Sequence, residues 1–146
     1  MTRSTILLVE DNPDDIELTR LALEENRIAN ELVVASSGDE ALAVLFGDGN
    51  GQPPLVPALV LLDLKLPRVG GIEVLRRIRG DARMRLTPVV VLTSSDEERD
   101  LVESYTLGVN SYVRKPIDYA DFVDAVRQLG IYWLLLNLTP DPMAQS

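Results

Sequence analysis

Short apolar runs alternate along the chain with stretches in which apolar residues recur every three or four positions. The runs are Ile6–Val9, Leu32–Ala35, Leu59–Leu62, Val89–Leu92 and Ser111–Arg114. Four to eight apolar residues bounded by turn formers predict buried strands, and the 3.6-residue spacing between them predicts helices. Strict alternation of the two indicates βα units on a parallel sheet. The helix starts carry their own chemistry. Asn12 is placed to cap the first helix, Pro13 suits its first position, and Asp14 and Asp15 suit the positive end of its dipole. Leu18, Leu21 and Ala22 are the expected inner face of that helix. Ala41, Leu42, Leu45 and Phe46 mark a second helix, and Ile72, Leu75 and Ile78 a third. Ser95 and Glu98 have capping-box spacing for a fourth, with Leu101, Val102 and Tyr105 expected inside. Asp118 opens a fifth.

Residues 47–57 (GDGNGQPPLVP) hold three glycines and three prolines. The segments on either side each supply only part of a sheet, so this stretch reads as an insertion within one domain and not as a linker. Residues 1–130 form the expected domain. Beyond it, 131–136 (IYWLLL) are wholly apolar and 139–146 (TPDPMAQS) read as a disordered tail. Phe122, Val126, Leu129, Trp133 and Leu136 follow a heptad-like spacing through the fifth helix and past it. A helix running past its sheet has little of its own domain beneath it, so these five residues are expected to form a homodimer contact. The alternative is that the tail folds back on its own domain.

The strand ends change the picture from fold to chemistry. In an open parallel sheet the carboxyl ends of the strands share one edge, where ligands bind. Glu10 and Asp11, Asp63, Thr93 and Lys115 each follow or end a predicted strand. Three carboxylates brought together repel one another, and a divalent cation relieves the conflict. Mg²⁺, which prefers oxygen ligands and is often shared with phosphate oxygens, suits Glu10, Asp11, Asp63 and the backbone carbonyl of Lys65. An aspartate carboxylate can itself act as a nucleophile toward phosphorus without a general base, and Asp63 is the candidate. Lys115 can neutralise phosphoryl oxygens, and the Thr93 hydroxyl can donate to one.

Composition narrows the options. The 146 residues are 46% hydrophobic and 25% charged, in line with one soluble globular domain. There is no cysteine, so no disulfide and no thiol nucleophile. The absence of histidine excludes a Ser-His-Asp site and a phosphohistidine carrier role for the chain itself. A net charge of −9 argues against nucleic-acid binding. No apolar stretch reaches the roughly 20 residues that a membrane-spanning helix needs, and the N-terminus lacks a signal-peptide pattern. A cytoplasmic protein is expected.

With LLVEDN at 7–12, LLDLKLP at 61–67 followed by Gly71, VVLTSS at 90–95 and SYVRKP at 111–116, the chain resembles the receiver domain of two-component response regulators over about residues 4–130. The resemblance implies a flavodoxin-like (βα)5 fold with strand order 2-1-3-4-5. It implies Asp63 as the phosphoacceptor, Glu10 and Asp11 as the metal-binding pair, Thr93 as the phosphoryl-engaging hydroxyl and Lys115 as the active-site lysine. Tyr112 matches the aromatic whose rotamer changes with phosphorylation. It further implies a sensor histidine kinase as donor, and output through the face of helix four, strand five and helix five. The insertion at 47–57 and the continuation GIYWLLLNLTP resemble the small regulators paired with cyanobacterial phytochromes and bacteriophytochromes. With no output domain in view, the expectation is a stand-alone switch and not an enzyme. The enzyme alternative, an aspartate-nucleophile phosphatase or phosphotransferase, needs an acid two residues after the nucleophile, and Lys65 stands there.

Overall fold

The computed structural model describes residues 5–28, 30–47, 49, 53–94, 98–115 and 118–129. Five strands form one parallel sheet: β1 Thr5–Val9, β2 Glu31–Ala35, β3 Leu59–Leu62, β4 Val89–Thr93 and β5 Ser111–Arg114. Their order is β2-β1-β3-β4-β5. This is the flavodoxin-like receiver fold that the βα alternation and the resemblance lead one to expect. Both strands flanking the 47–57 segment pair with β1, so that segment interrupts one sheet and separates no domains.

Among the described residues, five helices cover the sheet: α1 Pro13–Glu25, α2 Gly38–Phe46, α3 Gly71–Arg79, α4 Glu98–Thr106 and α5 Tyr119–Leu129. Alternation along each strand decides which face each side chain joins. Leu7, Val9, Val60, Leu62, Val89 and Val91 pack with Ala41, Leu45, Val74, Leu75 and Ile78 of α2 and α3. Ile6, Leu8, Leu59, Leu61, Val90 and Leu92 pack with Ala22 and Leu23 of α1 and with Phe122 and Val126 of α5. Strands buried on both faces explain why the sequence shows continuous apolar runs and not alternation.

The helix ends follow local chemistry. The Asn12 side chain accepts from the backbone N–H groups of Asp14 (2.9 Å) and Asp15 (3.3 Å). Ser37 caps α2 by accepting from the Glu40 N–H at 3.1 Å, a cap the sequence reading did not single out. Arg79, at the end of α3, donates to the carbonyls of Thr87 (2.7 Å), Leu107 (2.9 Å) and Gly108 (2.9 Å), tying α3 to the turns before β4 and β5.

Three expectations are corrected. On α1 the buried residues are Thr19, Ala22 and Leu23, while Leu21 is exposed. On α4, Val102 and Tyr105 point outward at 58% and 55% exposure, and Ser104 is the buried residue. Single-helix periodicity leaves the direction of the stripe open by about a residue, and packing on the sheet chose the other side. Phe122 and Val126 are only 4% exposed and belong to the core between α1 and α5, so neither is available as a dimer contact. The physical reason is that α5 seats on α1. Asn26 Nδ2 donates to the Val123 carbonyl at 2.9 Å, and the Tyr119 hydroxyl donates to Glu25 at 2.8 Å. Phe122 and Val126 therefore pack within their own domain. The Leu129 side chain, Trp133 and Leu136 lie outside the described residues, as do Ser95 and the Glu98 side chain.

Candidate functional site

Parallel pairing puts Val9 beside Leu62 and Thr93 beside Arg114. The next residues, Glu10, Asp63 and Lys115, are thereby delivered to one edge. Backbone bonds continue the ladder past the strand ends. The Asp63 N–H donates to the Val9 carbonyl at 3.0 Å, and the Lys115 N–H to the Thr93 carbonyl at 2.8 Å. The side chains are thus aimed by the sheet and not by mobile loops.

They meet in an open cleft of about 330 Å³ lined by Glu10, Asp11, Asn12, Asp15, Asp63, Lys65, Ser94 and Lys115. Carboxylate oxygens of Glu10, Asp11 and Asp63 lie within 4.8 Å of one another. Asp63 is nearly buried; its Oδ1 accepts from the Lys65 N–H at 3.1 Å and its Oδ2 from Lys115 Nζ at 3.4 Å. Lys115 Nζ also donates to Glu10 Oε1 and, at 2.8 Å, to Asp15 Oδ2. Lys65 and Lys115 are the only lysines in the chain, and both line this cleft.

The electrostatics favour a cation. Burial pushes the Glu10 carboxyl up to about 7, against the hydrogen bond from Lys115, and the neighbouring Asp63 charge adds to the rise. For Lys115 burial works in the opposite direction, toward the neutral amine. Hydrogen bonds to Asp15 and Glu10 and the Asp63 charge outweigh it, so its pKa lies above that of an ordinary lysine. One ammonium held among three carboxylates, with Asp11 beside them, leaves excess negative charge. An all-oxygen donor set of this kind fits a hard divalent cation.

Thr93 is fully buried at the end of β4, and among the described residues the hydroxyl side chain that lines the cleft is the next one, Ser94. Tyr112 is half-buried on β5 and stacks on Tyr105 of α4, with ring centroids 6.4 Å apart. Three cleft residues do not follow from the sequence as such: Asn12, Asp15 and Ser94. In the sequence alone Asp15 reads as a first-turn acid suited to the helix dipole.

A buried aspartate at the carboxyl edge of a parallel sheet, flanked by an acidic pair and a lysine, defines a receiver-type site. Residues 6–127 match the response regulator receiver domain family, and the chain belongs to it. Among curated relatives it is 41% identical to the probable methanogenesis regulatory protein FilR2 of Methanothrix harundinacea, over 94% of this chain and 88% of that one. It is 39% identical to the response regulator Rcp1 of Synechocystis, over 88% of each. Among solved structures, the phosphorylated cyanobacterial phytochrome response regulator RcpA matches with a TM-score of 0.86 at 37% identity, covering 96% of this chain and 100% of that one. The Mn²⁺-bound form of Rcp1 matches at 0.84 and 37%, covering 94% and 99%. The bacteriophytochrome response regulator AtBRR is 53% identical at a TM-score of 0.73, covering 94% and 100%. The phytochrome-associated resemblance read from the sequence is thus matched by its relatives.

Proposed function

We propose that this chain is a phospho-accepting switch that takes a phosphoryl group from a phosphohistidine of a sensor kinase onto Asp63. The observation that carries the reading is the Asp63 carboxylate, nearly buried, with Lys115 Nζ 3.4 Å from Oδ2 and the Glu10 and Asp11 carboxylates beside it. In the transfer an Asp63 oxygen forms a bond to phosphorus as the phosphorus–nitrogen bond of the donor breaks. The electron pair leaves with the imidazole nitrogen, which takes up a proton. Asp63 needs no base, so the protein's task is positioning and charge neutralisation. Glu10, Asp11, Asp63 and the Lys65 carbonyl would hold Mg²⁺, which supplies charge neutralisation for phosphoryl oxygens when bound. Lys115 supplies a second positive charge from the other side. Ser94, at the cleft wall, is a hydroxyl placed to donate to the new group, and Thr93, buried behind it at the end of β4, is the hydroxyl that the receiver resemblance assigns to that contact.

Phosphorylation would then shift the α4–β5 face between two populations through contacts that only the modified state makes. Tyr112, half-buried against Tyr105, is the element on that face that would change. A phytochrome-type kinase as donor is supported by the likeness to RcpA, Rcp1 and AtBRR, and a cytoplasmic setting follows from such a donor. For self-association, the exposed Val102 and Tyr105 on α4 remain the described apolar residues of that face. The phosphatase alternative loses ground, because Lys65 occupies the position where an acid is required.

The test is intact mass after incubation with Mg²⁺ and a small phosphoryl donor, beside Asp63→Asn and an EDTA control. One adduct, lost in both controls, is expected. A folded wild-type protein that takes no adduct would overturn the reading.

A further inference from the structure

We infer that Asp15 is the positioning residue that holds Lys115 in reach of Asp63. The inference rests on the phosphoacceptor reading for its purpose, but on the geometry for its substance. An ammonium has three donors, and here they face Glu10, Asp15 and Asp63. The three acceptors differ in what else they do. Glu10 and Asp63 belong to the acidic group that fits a cation, whereas Asp15 lies outside it. Asp63 is also the acceptor of the phosphoryl group. Among the described residues, Asp15 is therefore the anchor whose carboxylate has no second claim on it within the cleft.

Its own placement is firm. Asp15 sits in the first turn of α1, with its N–H donating to Asn12 Oδ1 at 3.3 Å and its carbonyl accepting from the Thr19 hydroxyl at 2.8 Å. The Asp15 side chain is 31% exposed, so it contacts solvent at the cleft rim while the Lys115 side chain is 17% exposed. A flexible four-carbon stem is thus tied to a helix end across the sheet edge. The separation fits a positioning role: with Asp15 bound at 2.8 Å, Nζ still lies 3.4 Å from Asp63 Oδ2. The lysine need not leave Asp15 to meet a group on Asp63. Without Asp15, an ammonium whose Glu10 partner is drawn to a metal would keep only Asp63 and water.

The test uses the fact that the chain has two lysines. With lysine-selective ¹⁵N labelling and Mg²⁺ present, Lys115 should give one exchange-protected ammonium signal, absent in Lys115→Ala, while exposed Lys65 exchanges fast. Asp15→Ala should abolish that protection, and Asp15→Glu should restore part of it. Asp15→Asn, which keeps the side-chain volume, guards against a mere folding effect and should also weaken the signal. In parallel, Asp15→Ala should slow phosphorylation by a small donor roughly tenfold. It should add no further loss in the Lys115→Ala background, because the two act as one unit. Full protection of Lys115 in Asp15→Ala, or an equal slowing in the Lys115→Ala background, would overturn the inference. If wild type shows the protected signal but takes no phosphoryl group, the proposed function fails and the positioning role stands.

Discussion

Gly71→Ala puts the link between packing and the phosphoacceptor to a direct test. A Cβ built on Gly71 would lie 2.3 Å from the Asp63 carbonyl oxygen and 2.6 Å from the Leu64 Cα. Both opposing atoms are backbone, so neither can rotate away. Relief requires α3 or the 63–64 segment to move by roughly 1 Å, and overpacking of this kind costs about 1–3 kcal/mol. Alanine in place of glycine in a helix would by itself gain at most about 1 kcal/mol. The net expectation is a loss of about 1–2 kcal/mol, opposite in sign to what propensity alone predicts. Because the displaced backbone carries Asp63, and the Gly71 N–H also donates to the Leu64 carbonyl at 3.0 Å, the carboxylate should move as well. A shift of this size can slow a positioned reaction by up to about 100-fold. Urea unfolding reads the first effect and the initial rate of the intact-mass phosphorylation assay the second. Gly80→Ala is the matched control, since its nearest contact would be an ordinary 3.4 Å. It should be neutral or slightly stabilising. Gly71→Ala unfolding at the wild-type urea concentration or above, with an unchanged phosphorylation rate, would refute the reasoning.

Three further expectations follow from the same packing. Phe122→Ala should destabilise the chain by about 3–5 kcal/mol as a core truncation, and sedimentation of the still-folded fraction should show the wild-type oligomeric state; a shift in assembly without loss of stability would restore Phe122 as a contact residue. In the metal-free protein the Glu10 carboxyl titrates near 7 instead of 4.5, so between those values the folded chain holds a proton that the unfolded chain has lost. The stability from this group is therefore full below about 4.5 and is lost as pH rises through 7. Mg²⁺ binding needs that carboxylate ionised, so calorimetry should give tighter binding at about pH 8 than at about pH 6 with proton uptake by buffer; an affinity flat across that range would contradict the assignment. Arg79→Ala should cost about 2–4 kcal/mol in urea unfolding, because carbonyls from the turns before β4 and β5 lose a charged donor; an unchanged midpoint would show those bonds to be dispensable.

Local chemistry made much of this protein legible in one dimension. Continuous apolar runs are what strands buried on both faces require, so β1, β3 and β4 were legible close to their true bounds. Asn12, Pro13 and the two aspartates after them announced α1, because capping and dipole effects act within a single turn. Strand ends in a parallel sheet must share an edge, so Glu10, Asp11, Asp63 and Lys115 could be brought together before any coordinates. What the chain could not reveal alone depended on neighbours distant in sequence. A heptad-like stripe on α5 looks the same whether it meets a partner or its own α1, and only the packed domain shows Phe122 and Val126 enclosed. The inner face of α4 turned on which side met α3 and the sheet. Asp15 carries the same lesson: as a first-turn acid it satisfies the helix dipole, and its hold on Lys115, a hundred residues away, exists only once α1 and β5 are laid across the same edge.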